Sequence, residues 1–256
     1  MGWYPLFVAF LFGLSTGSFG NVAVYRVPRG LSIVRPRSAC PHCGVEIAWQ
    51  DNIPLFSYLW LRGRCRNCGE SISWRYPTLE LATGVLWVLL TLRFGLVAEL
   101  PAFLAMGTAL IILSAIDFEH RRLPNKILGP AAIVSLGLLT LAAGLTSDWE
   151  RFLFGLVGGL AYALPLFLLA VAVPKGMGGG DIKLAAYLGL HLGWLGLAHV
   201  GVGAILGFLF GAVAGVALIA AGKKGRKDPI PFGPFMALGA LVAVFFGEPI
   251  VRAWLG

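Results

Sequence analysis

Seven stretches of this chain contain no Asp, Glu, Lys or Arg: 1–25, 81–92, 100–116, 127–147, 152–174, 184–222 and 229–247. A helix needs about 17–25 predominantly apolar residues to cross the hydrocarbon core of a bilayer. Inside that core each backbone N–H and C=O must be satisfied by the segment itself. The runs therefore specify an all-α polytopic membrane protein. The 81–92 run continues past Arg93 to residue 98. The 184–222 run holds 39 residues, enough for two spans with a turn near His199–Gly203. The expected count is about eight transmembrane helices, or seven if 184–199 is re-entrant. Only 12% of the 256 residues are charged, against about 25% in soluble domains.

No Lys or Arg precedes Arg26, so the first run lacks the basic segment of a signal peptide and reads as a retained span. Its Gly13-Leu14-Ser15-Thr16-Gly17 has the small-residue spacing of close helix packing, and its patch Ser15–Asn21 suits hydrogen bonds between helices. Three parts follow: a first span over 1–25, a loop domain over 26–80, and a multi-span core over 81–256. The net charge of +8 is a topology signal and implies no nucleic-acid partner. Seventeen of the twenty basic residues fall in 26–77, 118–126, 174–183 and 222–230, segments expected on one side of the membrane. Positive residues mark the cytoplasmic side. Both chain ends are then expected outside.

The loop 26–80 holds all four cysteines, as Cys40-Pro41-His42-Cys43 and Cys65-Arg66-Asn67-Cys68, with 21 residues between the pairs. Two CxxC knuckles offer four thiolates to a structural zinc ion. The separation is one residue beyond the usual window. Two disulfides or free thiols remain the alternative, although a cytoplasmic loop is reducing. Gly44 and Gly69 follow the two pairs and permit tight turns. His42 is a bystander if four sulfurs complete the shell. A domain this small has little core, so a bound metal would supply much of its stability.

Two acids stand at the ends of apolar runs. Asp181 follows Lys175-Gly176-Met177-Gly178-Gly179-Gly180. Gly178, Gly179 and Gly180 make room for a substrate backbone to approach that carboxylate. Asp181 would also serve as an N-cap for a helix over Leu184–Leu190. Asp117 ends the 100–116 run, and two spans separate it from Asp181. An even number of crossings returns both acids to one membrane face. Two carboxylates at one depth can share a proton and activate water. Ionisable groups at such sites are costly and point to function.

Other residues carry plainer expectations. Glu80 is placed in the first turn of span 2, after Pro77, where its charge complements the helix dipole. Arg121 would pair with Asp117 if that helix continued, and Lys183 would favour ionised Asp181. Lys223–Lys227 reads as a basic anchor, and Pro229–Phe235 as a stiff entry to the last span that could border the site. His191 and His199 are assigned no chemistry.

Together these residues resemble the prepilin peptidase family, the type IV leader peptidases among the GxGD membrane aspartyl proteases. The matching pieces are Gly178-Gly179-Gly180-Asp181 with Ile182-Lys183-Leu184, Asp117 with Leu123-Pro124, and both cysteine pairs. Arg75-Tyr76-Pro77 through Glu80, Ser18–Val22 and Pro231–Phe235 complete the set. The resemblance runs in order along nearly the whole chain. It implies that Asp117 and Asp181 are the catalytic pair, without saying which is base and which is acid. It implies removal of a short basic leader from type IV prepilins and type II secretion pseudopilins. The implied place is the cytoplasmic face of a bacterial inner membrane. It further implies methylation of the new N-terminus with S-adenosylmethionine, the cysteine loop being a feature of the bifunctional members. Membrane lipids are the remaining partner. A proton-coupled transporter is the rival class. It would place its acids near the bilayer midplane between repeats, and no repeat is visible. An assembly factor without activity would explain the cysteine loop but not the paired acids.

Overall fold

A computed structural model describes residues 2–173, 177–223, 225, 228 and 230–255, with side chains through Ala253. Pro174, Lys175 and Gly176 of the glycine stretch lie outside the described residues. So do Lys224, Arg226, Lys227 and Pro229 of the anchor and entry. The described residues form nine α-helices and no strand. They are α1 (Trp3–Arg26), α2 (Phe56–Trp60), α3 (Arg75–Phe94), α4 (Leu100–His120), α5 (Asn125–Thr146), α6 (Trp149–Ala172), α7 (Gly179–Leu195), α8 (Leu197–Ala220) and α9 (Gly233–Leu255). All but α2 correspond to the eight expected spans. Seven of them are long and apolar enough to cross a membrane. Helix α7 has 17 residues and extends about 26 Å at 1.5 Å per residue, near the lower limit for a span.

Local chemistry sets the helix ends. Gly95 has φ 74° after α3, and its N–H returns to the Thr91 carbonyl, a frequent helix ending. The Asp148 side chain accepts the Arg151 N–H and caps α6. The division of the long 184–222 run falls at Gly196 rather than near His199–Gly203. Gly196 has φ 129°, a conformation that glycine adopts without a Cβ clash, whereas His199 lies within α8. Helix α3 starts at Arg75, so Glu80 sits in its second turn and not its first.

The chain divides into two compact units. One comprises Met1–Leu100 with Gly107–Ile112; the other comprises Pro101–Met106 with Leu113–Gly256. In the first, α1 packs on α3 through the small-residue spacing. A Cβ on Gly13 would lie 2.8 Å from the Gly84 Cα, and one on Gly17 2.8 Å from the Glu80 Cα. Of the polar patch, Asn21 reaches across to the Tyr76 carbonyl at 3.0 Å, whereas Ser15 and Thr16 bond carbonyls of their own helix.

In the second unit, α6 and α7 meet backbone to backbone. A Cβ on Gly158 would lie 2.5 Å from the Gly189 carbonyl oxygen, and one on Gly193 2.2 Å from that of Phe154. Helices α8 and α9 repeat the device at Gly203, Gly207 and Gly239. Lipid-like solvent provides no hydrophobic drive between helices, so this close approach supplies the packing energy. His191 is fully buried, its ring edge-on to Phe103 and Tyr187 and its Nδ1 bonded to the Tyr187 carbonyl. Leu160, Ile133 and Val216 remain exposed on outer faces, as lipid-facing positions require.

Gly189→Ala would put its methyl 2.2 Å from the Gly158 oxygen. Overpacking of this kind costs about 1–3 kcal/mol. Thermal unfolding in detergent should show that loss. Gly137→Ala, whose Cβ meets nothing within 4 Å, should be neutral or stabilising. Equal melting of both variants would show that α6 and α7 do not touch as described.

Candidate active site

The two acids belong to the second unit. Asp117 lies on the last turn of α4 and is 5% exposed. Its Oδ2 accepts the Gly233 N–H at 3.0 Å. Gly233 is the first residue of α9, where N–H groups have no partner within their own helix. Asp117 thus caps α9 from another helix, with its charge at the positive end of that dipole.

Asp181 is half-buried and occupies the first turn of α7. The helix begins at Gly179, with Gly178 as its N-cap. The Asp181 carboxylate lies over the cap residue, its Oδ2 3.1 Å from where a Cβ on Gly178 would stand, and the Asp181 N–H bonds the Gly178 carbonyl at 3.0 Å. Asp181 therefore is not the N-cap expected from sequence. The two carboxylates lie within electrostatic reach of each other. Leu123 is wedged between their supports: a Cβ on Gly180 would stand 3.0 Å from the Leu123 Cβ, and one on Gly233 3.1 Å from its Cδ2.

The glycine run divides by role. A Cβ on Gly178 would meet Asp181 Oδ2 at 3.1 Å, one on Gly180 would press on Leu123, and one on Gly179 would meet nothing within 4 Å. At two of the three, a methyl would thus make the Asp181 carboxylate or Leu123 give by a few tenths of an ångström.

Both expected charge partners are elsewhere. Helix α4 stops at His120, and Arg121 turns away with φ 52°. Only its backbone N–H returns to the Asp117 carbonyl, at 2.8 Å. Lys183 donates to Asn125 Oδ1 at 3.0 Å, joining the starts of α7 and α5. Sequence reasoning put Pro229–Phe235 at the border of the site but did not single out the Gly233 N–H as the partner of Asp117. The signal was present in Pro231-Phe232-Gly233-Pro234, since a Gly-Pro at a helix start leaves the glycine amide to find its own acceptor.

The first unit holds the cysteine loop. Two turns repeat the same bonds: Cys40 N–H to the Val45 carbonyl and Gly44 N–H to the Cys40 carbonyl, then Cys65 N–H to Glu70 and Gly69 N–H to Cys65. Gly44 and Gly69 have φ 70° and 72°. The four sulfurs lie within 4.8 Å of one another, with Cys40 and Cys68 Sγ 3.8 Å apart. Tetrahedral coordination with Zn–S near 2.3 Å separates sulfurs by about 3.8 Å, so the cluster fits zinc. No disulfide joins these cysteines. The Val45 backbone N–H, then the Asn67 side chain, hold the Cys43 thiol down at about 6. Backbone N–H groups of Cys68 and Asn67 lower Cys65 likewise. Thiolates are the form that binds metal. Arg66 grips Asp51 with two nitrogens, at 2.8 and 2.6 Å, and ties the second turn to the connecting segment.

Glu80 is also in this unit, and buried. Its Oε2 accepts the Leu55 N–H at 2.9 Å, and the Ser18 hydroxyl lies near the same carboxylate.

The support of the acids by Leu123 is testable. Gly180→Ala and Gly233→Ala should each lower the melting temperature, at about 1–3 kcal/mol for a methyl forced into packed space. Gly179→Ala should stay within about 0.5 kcal/mol. A loss as large in Gly179→Ala would contradict the described packing.

Comparison with known proteins places this arrangement. A family model described as the bacterial peptidase A24 N-terminal domain matches residues 11–94. One described as the type IV leader peptidase family matches residues 104–220. A prepilin leader peptidase/N-methyltransferase of Bacillus subtilis (strain 168) is 37% identical over 250 residues, covering 98% of each chain. One of Pseudomonas aeruginosa is 37% identical over 270 residues, covering 96% of this chain and 91% of its own. One of Aeromonas hydrophila is 34% identical over 278 residues, covering 99% and 94%. No solved structure matches the chain. Likeness of this extent, over both units, shows that the chain belongs to the type IV leader peptidase family.

Proposed function

We propose that this protein is a membrane aspartyl endopeptidase. In this reading it removes the short basic leader of type IV prepilins and type II secretion pseudopilins. It then methylates the new N-terminal amine with S-adenosylmethionine as methyl donor. The relatives' names, prepilin leader peptidase/N-methyltransferase, support both activities. The observation that carries the peptidase reading is that Asp117, whose Oδ2 accepts the Gly233 N–H, and Asp181, preceded by Gly180, are brought together around one side chain, Leu123. Like charges this close disfavour double ionisation, so the pair holds one proton between them. The ionised member takes a proton from water as it attacks the scissile carbonyl. The protonated member donates to the developing oxyanion, and a carboxyl then protonates the leaving amine. The open side of Gly179 gives a substrate backbone room beside Asp181. The basic bias of the loops supports a cytoplasmic site in a bacterial inner membrane.

Asp117→Asn and Asp181→Asn should each abolish cleavage of a prepilin peptide in detergent, and the double variant should be no worse, because members of a catalytic unit are non-additive. Asparagine has the same shape and keeps the backbone bond from residue 181 to the Gly178 carbonyl, so a purely structural Asp181 would tolerate the change. Glu119→Gln should retain activity. Normal cleavage by either folded aspartate variant would refute the pair.

Cys40, Cys43, Cys65 and Cys68 hold one structural zinc ion in this reading. Elemental analysis of protein purified without chelator should give one zinc per chain. Any single Cys→Ser should lower that content and speed proteolysis within 26–80, because a closed metal site contributes folding energy. Protein free of zinc yet equally resistant to protease would sink the assignment.

A further inference from the structure

Two acids are buried among the described residues, Asp117 and Glu80, and hydrolysis leaves Glu80 unused. Glu80 is 8% exposed, its hydrogen-bond partner is the neutral Leu55 N–H, and the group nearest on α1 is the neutral Ser18 hydroxyl. A carboxylate offers about four lone-pair sites, so acceptor capacity remains. One helical turn away, Asn21 is 2% exposed and donates its Nδ2 to the Tyr76 carbonyl. That bond fixes which way the amide points, since a carbonyl can only accept. Asn21 Oδ1 is left buried with no donor. Ser18 and Asn21 are three residues apart and share one face of α1. Among the described residues, a buried carboxyl with spare acceptor capacity and a buried amide oxygen with no donor stand on neighbouring turns, and a cation with several N–H groups would satisfy both.

We propose that Glu80, with Ser18 and Asn21, forms the site that receives the N-terminal ammonium of the trimmed substrate and takes its proton during methyl transfer. This rests on the methylation reading above. Ammonium has three donors, enough to satisfy Glu80 and Asn21 Oδ1 together. An ammonium is no nucleophile until it loses a proton. Glu80 accepts that proton, and the freed lone pair forms the C–N bond to the methyl carbon of the sulfonium donor. The C–S bond breaks, its electrons stay on sulfur, and a neutral thioether leaves. The product is a secondary ammonium, and Glu80 returns its proton to water. Burial strengthens the attraction between anion and cation, because the local dielectric is low.

Glu80→Gln keeps an oxygen for the Leu55 N–H and removes the charge. With a pre-trimmed peptide and labelled S-adenosylmethionine, its methylation rate should fall about 100-fold or more, while intact prepilin is still cleaved. Glu80→Asp, which keeps the charge, should methylate faster than Glu80→Gln. Undiminished methylation by Glu80→Gln overturns the proposal, and so does equal loss of cleavage and methylation in folded protein. Should Glu80→Gln not fold, the unaltered protein decides. Labelling of Glu80 by an apolar carbodiimide, read by mass spectrometry, should fall when the trimmed peptide is bound, and equal labelling overturns the proposal. An unaltered protein that cleaves but never methylates the trimmed peptide refutes the methylation reading itself, a result distinct from loss of this site alone.

Discussion

A carboxylate among membrane helices has no water to solvate it, so it must find donors in the protein. Here the donors come from distant parts of the chain. Asp117 takes its N–H from Gly233, and Glu80 takes its own from Leu55. Each bond fixes a segment that would otherwise have no reason to stop where it does. Leu55 has φ 59°, an uncommon conformation for such a residue, and the buried carboxylate holds it there. Gly233 must lack a side chain because a Cβ would stand 2.9 Å from the carboxylate it serves. In the second unit, the glycine contacts between α6 and α7, and between α8 and α9, make a tight frame around the Asp117 bond.

Much of this was legible in the sequence, for physical reasons. Uncharged runs are unambiguous in a bilayer, so the eight long helices could be read directly. The two aspartates stand out because acids at apolar boundaries are expensive. The CxxC pairs carry their own geometry in their spacing. Where reading failed, the missing information was tertiary. Nothing in the sequence says that α4 ends at His120, because the stop is the backbone conformation of Arg121 and not a Gly or Pro. Lys183 lies two residues from Asp181 in sequence, but successive helical residues point apart, and its amine bonds Asn125 instead. Glu80 looked like a dipole complement because the start of α3 was placed at Pro77, two residues late. Its burial follows from Gly17 on another helix.

The glycine run shows how one motif meets several constraints. Gly180 lets Leu123 pack, Gly178 makes way for the Asp181 carboxylate, and only Gly179 faces open space. Of the three glycines expected to make room for a substrate backbone, two also have close neighbours within the protein.

The bond from Gly233 to Asp117 also bears on the order of synthesis. Helix α9 follows every other helix in the chain, and domains form as the chain emerges, N-terminal parts first. Until α9 is made and docked, Asp117 has no amide to accept and Leu123 has no Gly233 to lean on. A chain truncated before α9 would carry both aspartates and still lack an ordered site. On the proposed reading of the two aspartates, cleavage then waits for complete translation and insertion of the chain.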